Sequence, residues 1–236
     1  MEYGSVSVSD HMRALFLPVA DSDSFPQIVI LASAHRVLTR AISLFANPRK
    51  MVMANSSKYF LRTERLGFRY WLHRDLDLAM GLWGDLQVTE PIDSRGQLSR
   101  DQVKERLERE ISTAESYGVQ YWPIFLLSND SHVGCCGLRP YDFTGGIYEI
   151  GFHIRSKHWR RGFAFEGAQA VMEYAFGGLG AAGLFAGHGP ENEASRRLLA
   201  KLRFRYTHDE YYVPTGLHHP SYIITINDYI SMNNRK

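Results

Sequence analysis

Residues 147–154, IYEIGFHI, alternate with the period of a strand: Glu149, Gly151 and His153 share one face, Tyr148, Ile150 and Phe152 the other. Directly afterwards the pattern changes. HWRRGFAFEGAQAVMEYAF, 158–176, is amphipathic at helical spacing and closes in the glycines of FGGLG. A strand that runs straight into a long amphipathic helix admits few folds, because both elements must bury a face in layered packing. The turn between them is basic, with Arg155, Lys157, His158, Arg160 and Arg161 ahead of Gly162. Cations at the start of a helix oppose its dipole and work against stability. They become favourable where an anion sits, since a helix N-terminus offers unpaired N–H groups and a glycine lets a ligand approach the backbone. A solvated basic turn is the alternative, and local charge does not choose between the two.

On either side of this unit the patterns continue in the same vein. YFLRTERLGFRYW (59–71) alternates as a first strand, and HRDLDLAMGLWGD (73–85) reads as a short helix with Asp75 as cap and Gly84 as stop. SRDQVKERLEREISTAESYG (99–118) is the clearest helix. Ser99 and Gln102 make a capping box, Val103, Leu107, Ile111 and Ala114 form its apolar stripe, and Gly118 ends it. YWPIFLLSND and HVGCCGLRPYD are strands joined by the turn residues SNDS. After the central unit come a short strand, GLFAGHG (183–189), a helix, PENEASRRLLAKL, opened by Pro190 and Asn192, and a hairpin of YYV and SYIITINDYI joined through PTGLHHP. The order predicts a mixed α/β (α+β) sheet with helices packed on it.

The chain has 236 residues and a formal charge of only +2, enough for one domain plus an extension and too little for a global field that would draw nucleic acid or anionic membrane. Its two cysteines, Cys135 and Cys136, are adjacent and point to opposite faces of a strand, which excludes a disulfide scaffold and fits small buried hydrophobes in a reducing compartment. No stretch reaches the ~20 apolar residues of a bilayer span. Residues 1–57 are read as an extension and 58–236 as the folded domain. From Ser24 to Thr63 the chain has no acidic residue while Arg36, Arg40, Arg49, Lys50, Lys58 and Arg62 accumulate. That suits a transit peptide, an accessory surface helix, or sequence upstream of a true start at Met51 or Met53. Nucleic-acid binding through this part has little support, because the charges lack interleaved aromatics. The expected location is cytoplasmic, with organellar targeting left open.

The anion expected at the basic turn is not held by a nucleotide P-loop, since no G-x-x-x-x-G-K-[ST] occurs, nor by a G-x-G-x-x-G. FGGLGAAG (176–183) ends a helix rather than opening one. HDE at 208–210, with His218 and His219, lacks the spacing of a metal site, so no metal is expected. No G-x-S-x-G marks a hydrolase. EIGFHIRSKHWRRGFAFEGAQAVMEYAF followed by PENEASRRLLAKLRF resembles the GNAT acetyltransferase superfamily, and within it the branch of the Rim-type ribosomal-protein N-acetyltransferases. The likeness rests on strand E-I-G-aromatic, then Trp-x-x-Gly-aromatic-Ala, then Asn-x-x-Ser, a lysine and a terminal Gly-Phe, and covers 58–230. It implies a mostly antiparallel central sheet with helices on both faces, acetyl-CoA as co-substrate, and an amine acceptor that is a protein N-terminus or a small molecule. Residues carried over are Arg160, Arg161, Gly162, Phe163 and Ala164, whose backbone N–H groups would hold the pyrophosphate of coenzyme A. Phe152, His153 and Ile154 would lie along the pantetheine, and Asn192 would contact it. One departure stands out: the Gly-Phe is Arg203-Phe204 here, so the helix end is expected to differ, because arginine in a left-handed turn costs about 1 kcal/mol.

The implied reaction is direct attack of a neutral amine on a thioester in a ternary complex. It needs a base, an oxyanion donor and a proton for the leaving thiolate. Glu149 is the expected base, directly or through water, with a structural salt bridge to a local arginine as its other reading. His153 lies about 13 Å further along an ideal strand and would not serve the same amine without a bulge. Gly151 leaves room for a ligand or backbone to approach. Ser195 is the candidate donor to the departing sulfur or else part of the helix cap, and Tyr211 or Tyr212 could take the donor role. The acceptor would enter opposite the cofactor, between the early helices and the last hairpin, where Glu90 and Asp93 could meet a cation and 213–221 form the facing rim. Trp71, Trp83 and Trp122 are read as packing. The same fold with another acyl group or an antibiotic amine, or a non-catalytic acyl-CoA-binding module, are the competing readings. A monomer or homodimer is expected.

Overall fold

The computed structural model describes residues 58–234, and the readings of 1–57 lie outside them. The described residues form an eight-stranded sheet in the order β1-β2-β3-β4-β5-β6-β8-β7. Its strands are β1 (Leu61–Arg62), β2 (Leu66–Phe68), β3 (Tyr121–Leu126), β4 (His132–Asp142), β5 (Ile147–Ile154), β6 (Gly183–Gly187), β7 (Arg205–Tyr212) and β8 (Leu217–Thr225). All neighbours pair antiparallel except β5 with β6. That one parallel contact needs a crossover, and the helix after β5 supplies it. The sheet is therefore mixed and mostly antiparallel, as the resemblance implied.

Helices cover both faces. On one side lie α1 (Leu76–Trp83), α2 (Leu86–Thr89) and α3 (Arg100–Tyr117); α4 (Phe163–Glu173) and α5 (Glu193–Lys201) cover the other, with α6 (Ile226–Asn233) closing the described chain. Period-2 strands with helices on both sides must divide their side chains between two cores, and they do. Trp122, Ile124, Cys136, Leu138, Ile150 and Leu184 pack with α4 and α5, whereas Tyr121 and Cys135 pack with Trp71, Trp83, Val103 and Leu107. Cys135 and Cys136 are free and buried on opposite faces, and Trp71, Trp83 and Trp122 are fully buried packing residues. Among the described residues no helix is long and apolar enough to cross a membrane.

Helix α3 matches the sequence closely. Ser99 and Gln102 close a reciprocal capping box, and Gly118 ends the helix at φ 74°. Four expectations need correction. Residues 59–71 are not one strand: Thr63 Oγ1 accepts from Leu66 N at 2.9 Å, folding β1 and β2 into a tight hairpin. The loop read at 87–96 begins inside α2, capped by Asp85 through Gln87 N. SYIITINDYI is strand only to Thr225, whose side chain and that of Asp228 form a second capping box that starts α6. At the end of α5, Arg203 takes φ 66°, Arg203 N donates to Ala200 O and Phe204 N to Leu199 O. This is the left-handed turn expected of glycine, so the helix end is kept and the arginine bears its strain of about 1 kcal/mol.

Candidate active site

Strands β5 and β6 pair only at Ile147↔Gly183, Tyr148↔Leu184 and Glu149↔Phe185. Beyond that point β5 stays on β4 as far as Ile154, and β6 stays on β8 as far as Gly187↔Ser221. Each strand follows its antiparallel neighbour, so the two part like a wedge. Phe152, His153 and Ile154 then carry a backbone edge that β6 no longer pairs. Each diverging strand leads to a helix start: β5 to the basic turn and α4, β6 to Asn192 and α5.

The basic turn begins as a single 3-10 turn, Ser156–His158, and Trp159 Nε1 donates to Ile154 O at 2.7 Å. Arg160 at φ 59° and Gly162 at φ 80° then bend the chain through two left-handed positions. No side chain caps α4. Among the described residues, the N–H groups of Arg160, Arg161, Gly162, Phe163 and Ala164 donate to no protein acceptor. They form a run of free donors with Arg160 and Arg161 exposed beside them. Phe163 is buried in the core, so only its backbone can face a ligand. A brace from the β1–β2 turn fixes this loop. Arg65 Nη1 donates to Arg161 O at 3.1 Å and Arg65 Nε to Glu166 Oε2 at 2.6 Å, while Thr63 Oγ1 also donates to Glu166. Burial alone would raise the Glu166 carboxyl, but the hydrogen bonds from Thr63 and Arg65 hold it below its ordinary value.

At α5, Asn192 Oδ1 accepts from Ser195 N at 3.0 Å and is the cap. The Ser195 hydroxyl takes no part in it, which removes the capping reading of that side chain. Both residues are half-buried.

On the face shared by α1 and α3, Glu149 accepts from Tyr121 Oη at 2.9 Å. Among the described residues it has no ion pair: the nearby Arg139 guanidinium is taken by Glu110 of α3, which is wholly buried and also accepts from Tyr121 N. The salt-bridge reading of Glu149 therefore fails. Burial pushes its carboxyl above the ordinary carboxylate value, against the opposing pull of Arg139 and the Tyr121 hydrogen bond. The space beside Gly151 does not stand open, since the Tyr121 ring lies where its side chain would be, on the way to Glu149. His153 Nδ1 accepts from Trp83 Nε1 at 3.2 Å. Burial and the charges of Arg106 and Arg139 keep that ring neutral, well below the usual histidine range.

The last hairpin brings Tyr212 and Glu210 over this face. Tyr211 alternates to the opposite side, exposed against the His218 ring, so Tyr212 rather than Tyr211 is the tyrosine whose surroundings include Glu149. Tyr141 stacks on Phe185 at 3.9 Å and donates to Glu210 Oε2 at 3.3 Å. Ser94 N donates to Pro214 O, tying the segment after α2 to the hairpin. Asp93 is buried and neutralised by a two-pronged bond from Arg95, so it is not free to meet a cation; Glu90 is exposed. Sequence reading passed over Tyr121, Arg139, Glu110 and Arg106. For the two helical residues a signal existed: positions 106 and 110 fall at helical spacing with Val103 and Leu107, hence on the buried stripe.

A family model described as an acetyltransferase (GNAT) domain matches residues 65–205. The chain is similar to the uncharacterized N-acetyltransferase p20 of Bacillus licheniformis, 29% identical over 145 residues that cover 61% of this chain and 82% of that one. Its fold is similar to that of spermidine N-acetyltransferase from Vibrio cholerae, solved with CoA and spermine, with a TM-score of 0.60, 16% identity, and coverage of 71% and 99%. It is likewise similar to RimL, the ribosomal L7/L12 alpha-N-protein acetyltransferase, solved with coenzyme A, with a TM-score of 0.60, 15% identity, and coverage of 70% and 97%.

Proposed function

Because the chain belongs to the GNAT acetyltransferase domain family, we propose that it moves an acetyl group from acetyl-CoA to a primary amine within a ternary complex. The observation that carries this reading is the run of free backbone donors from Arg160 to Ala164 at the mouth of the splayed strands. Oriented N–H groups at a helix start, flanked by exposed guanidinium groups, suit a diphosphate. The opened edge at Phe152, His153 and Ile154 suits an extended pantetheine arm, with Asn192 alongside.

In this reading Glu149 takes the proton from the acceptor ammonium. A carboxyl raised by burial, with no counter-ion, is suited to that task near neutral pH. The amine lone pair then bonds to the thioester carbon, an N–H on the splayed edge of β5 holds the oxyanion, and the carbon–sulfur bond breaks as a donor protonates the thiolate, while the second proton shed by the now cationic nitrogen replaces the one the donor spends. Ser195, whose hydroxyl is not engaged in the cap, and Tyr212 are the two candidates for that donor. The acceptor is a protein N-terminus, as the Rim-type resemblance suggests, or a small amine. A thermal-shift titration with coenzyme A, followed by an acceptor screen read by free thiol release, tests the reading. Arg160→Glu with Arg161→Glu should abolish the shift. Absence of any coenzyme A affinity in the unaltered protein would overturn the assignment.

A further inference from the structure

Arg106 projects from α3 onto the same face as Glu149. Its guanidinium lies 4.9 Å from the ring centroid of Trp83, and its Nε is buried with no hydrogen-bond partner. The carboxylates whose charge bears on it, Glu110 and Asp93, are committed elsewhere: Glu110 holds Arg139 and Asp93 holds Arg95. Among the described residues no acidic group closes on Arg106. Burial and the like charge of Arg139 both act against the cation, drawing it below the usual arginine value. A half-buried guanidinium whose Nε is shut off from solvent and which has no counter-charge is costly to keep, and stacking on an indole restores only part of that cost. Trp83 joins this group to the active strand through His153, and Tyr212 is acted on by Glu149 and by Arg106 alike. The base candidate and the unpaired cation thus share one face of the sheet.

We propose that Arg106 receives a carboxylate carried by the acceptor, so that the preferred substrate is a primary amine that also bears a carboxylate, not a polyamine or a simple alkylamine. This rests on the acetyltransferase reading of the site on that face. The planar fork of a guanidinium binds a carboxylate through two parallel hydrogen bonds, whereas a second ammonium on the substrate would be repelled. The test compares amino acids of graded length, each against its own carboxamide, with spermidine as the polyamine control, by thiol release in the unaltered protein. Acids should exceed their amides by about tenfold or more in kcat/KM, chiefly through KM. In Arg106→Gln the acids should fall to the level of the amides while amide rates and coenzyme A affinity hold. Equal rates for acid and amide throughout, or preference for spermidine, would overturn the proposal even if Arg106→Gln failed to fold. So would an equal loss for acids and amides in Arg106→Gln. Coenzyme A binding separates the two levels: if it is present without acid preference, only this inference falls; if it is absent, the acetyltransferase reading falls with it.

Discussion

Glu149 shows how a single side chain takes its chemistry from its surroundings. The strand alternation that put it on the face of Gly151 and His153 was legible in IYEIGFHI, but Tyr121, which fills the space at Gly151 and donates to the carboxylate, comes from a strand distant in sequence. Its raised carboxyl value gives two linked expectations. As a base it is active when ionised, so the rate should rise with pH through a value above the ordinary 4.5, and Glu149→Gln should remove that acid limb and lower kcat by about a hundredfold. A raised carboxyl also means that the folded state holds the proton more tightly than the unfolded one. Its stabilising contribution is then full below 4.5 and is lost as pH rises through the folded value. Glu149→Gln should accordingly melt higher than the parent protein at pH 7, with the gain shrinking toward pH 4.5. A full-rate variant with an unchanged pH profile would remove Glu149 from the mechanism.

At the level of elements, helix starts do most of the positioning. Ser99, Asn192 and Thr225 cap α3, α5 and α6 through side chains, whereas α4 alone of these begins without a side-chain cap and leaves its donors free. Capping residues are local signals, so α3 and α5 could be placed from sequence, and the Thr225–Asp228 box was overlooked because it sits inside an apolar run that reads as strand. Asn192 offers a way to separate cap from ligand contact. Asn192→Ala should cost about 1 kcal/mol in chemical denaturation, and Asn192→Asp should restore that stability, since a carboxylate caps as well as an amide. If the amide also touches the pantetheine, coenzyme A affinity stays reduced in the aspartate variant. Full recovery of affinity would assign Asn192 to the cap alone.

For the whole molecule, the two cores on the faces of the sheet are assembled from side chains between Tyr59 and Tyr229. Together they comprise large aromatic and aliphatic residues on both sides of β3 and β4, the kind of burial that sustains an independent domain. A chain of residues 58–236 is therefore expected to unfold in one cooperative transition and to show the coenzyme A thermal shift of the full protein. Loss of cooperative unfolding on removing 1–57 would instead make the extension part of the domain.

The order of elements from α3 to α5, the alternating faces of β5, the caps Ser99 and Asn192 and the basic turn were determined by the sequence alone, because each depends on neighbours within a few positions. The pairing that parts β5 from β6, the commitment of Glu110 to Arg139 and of Asp93 to Arg95, the placement of Tyr212 rather than Tyr211 on the Glu149 side, and the lack of a partner for Arg106 Nε were decided only by tertiary structure. The reason is physical. Periodicity and capping are short-range, whereas the state of a buried charge depends on which opposite charge the fold brings to it across strands and helices.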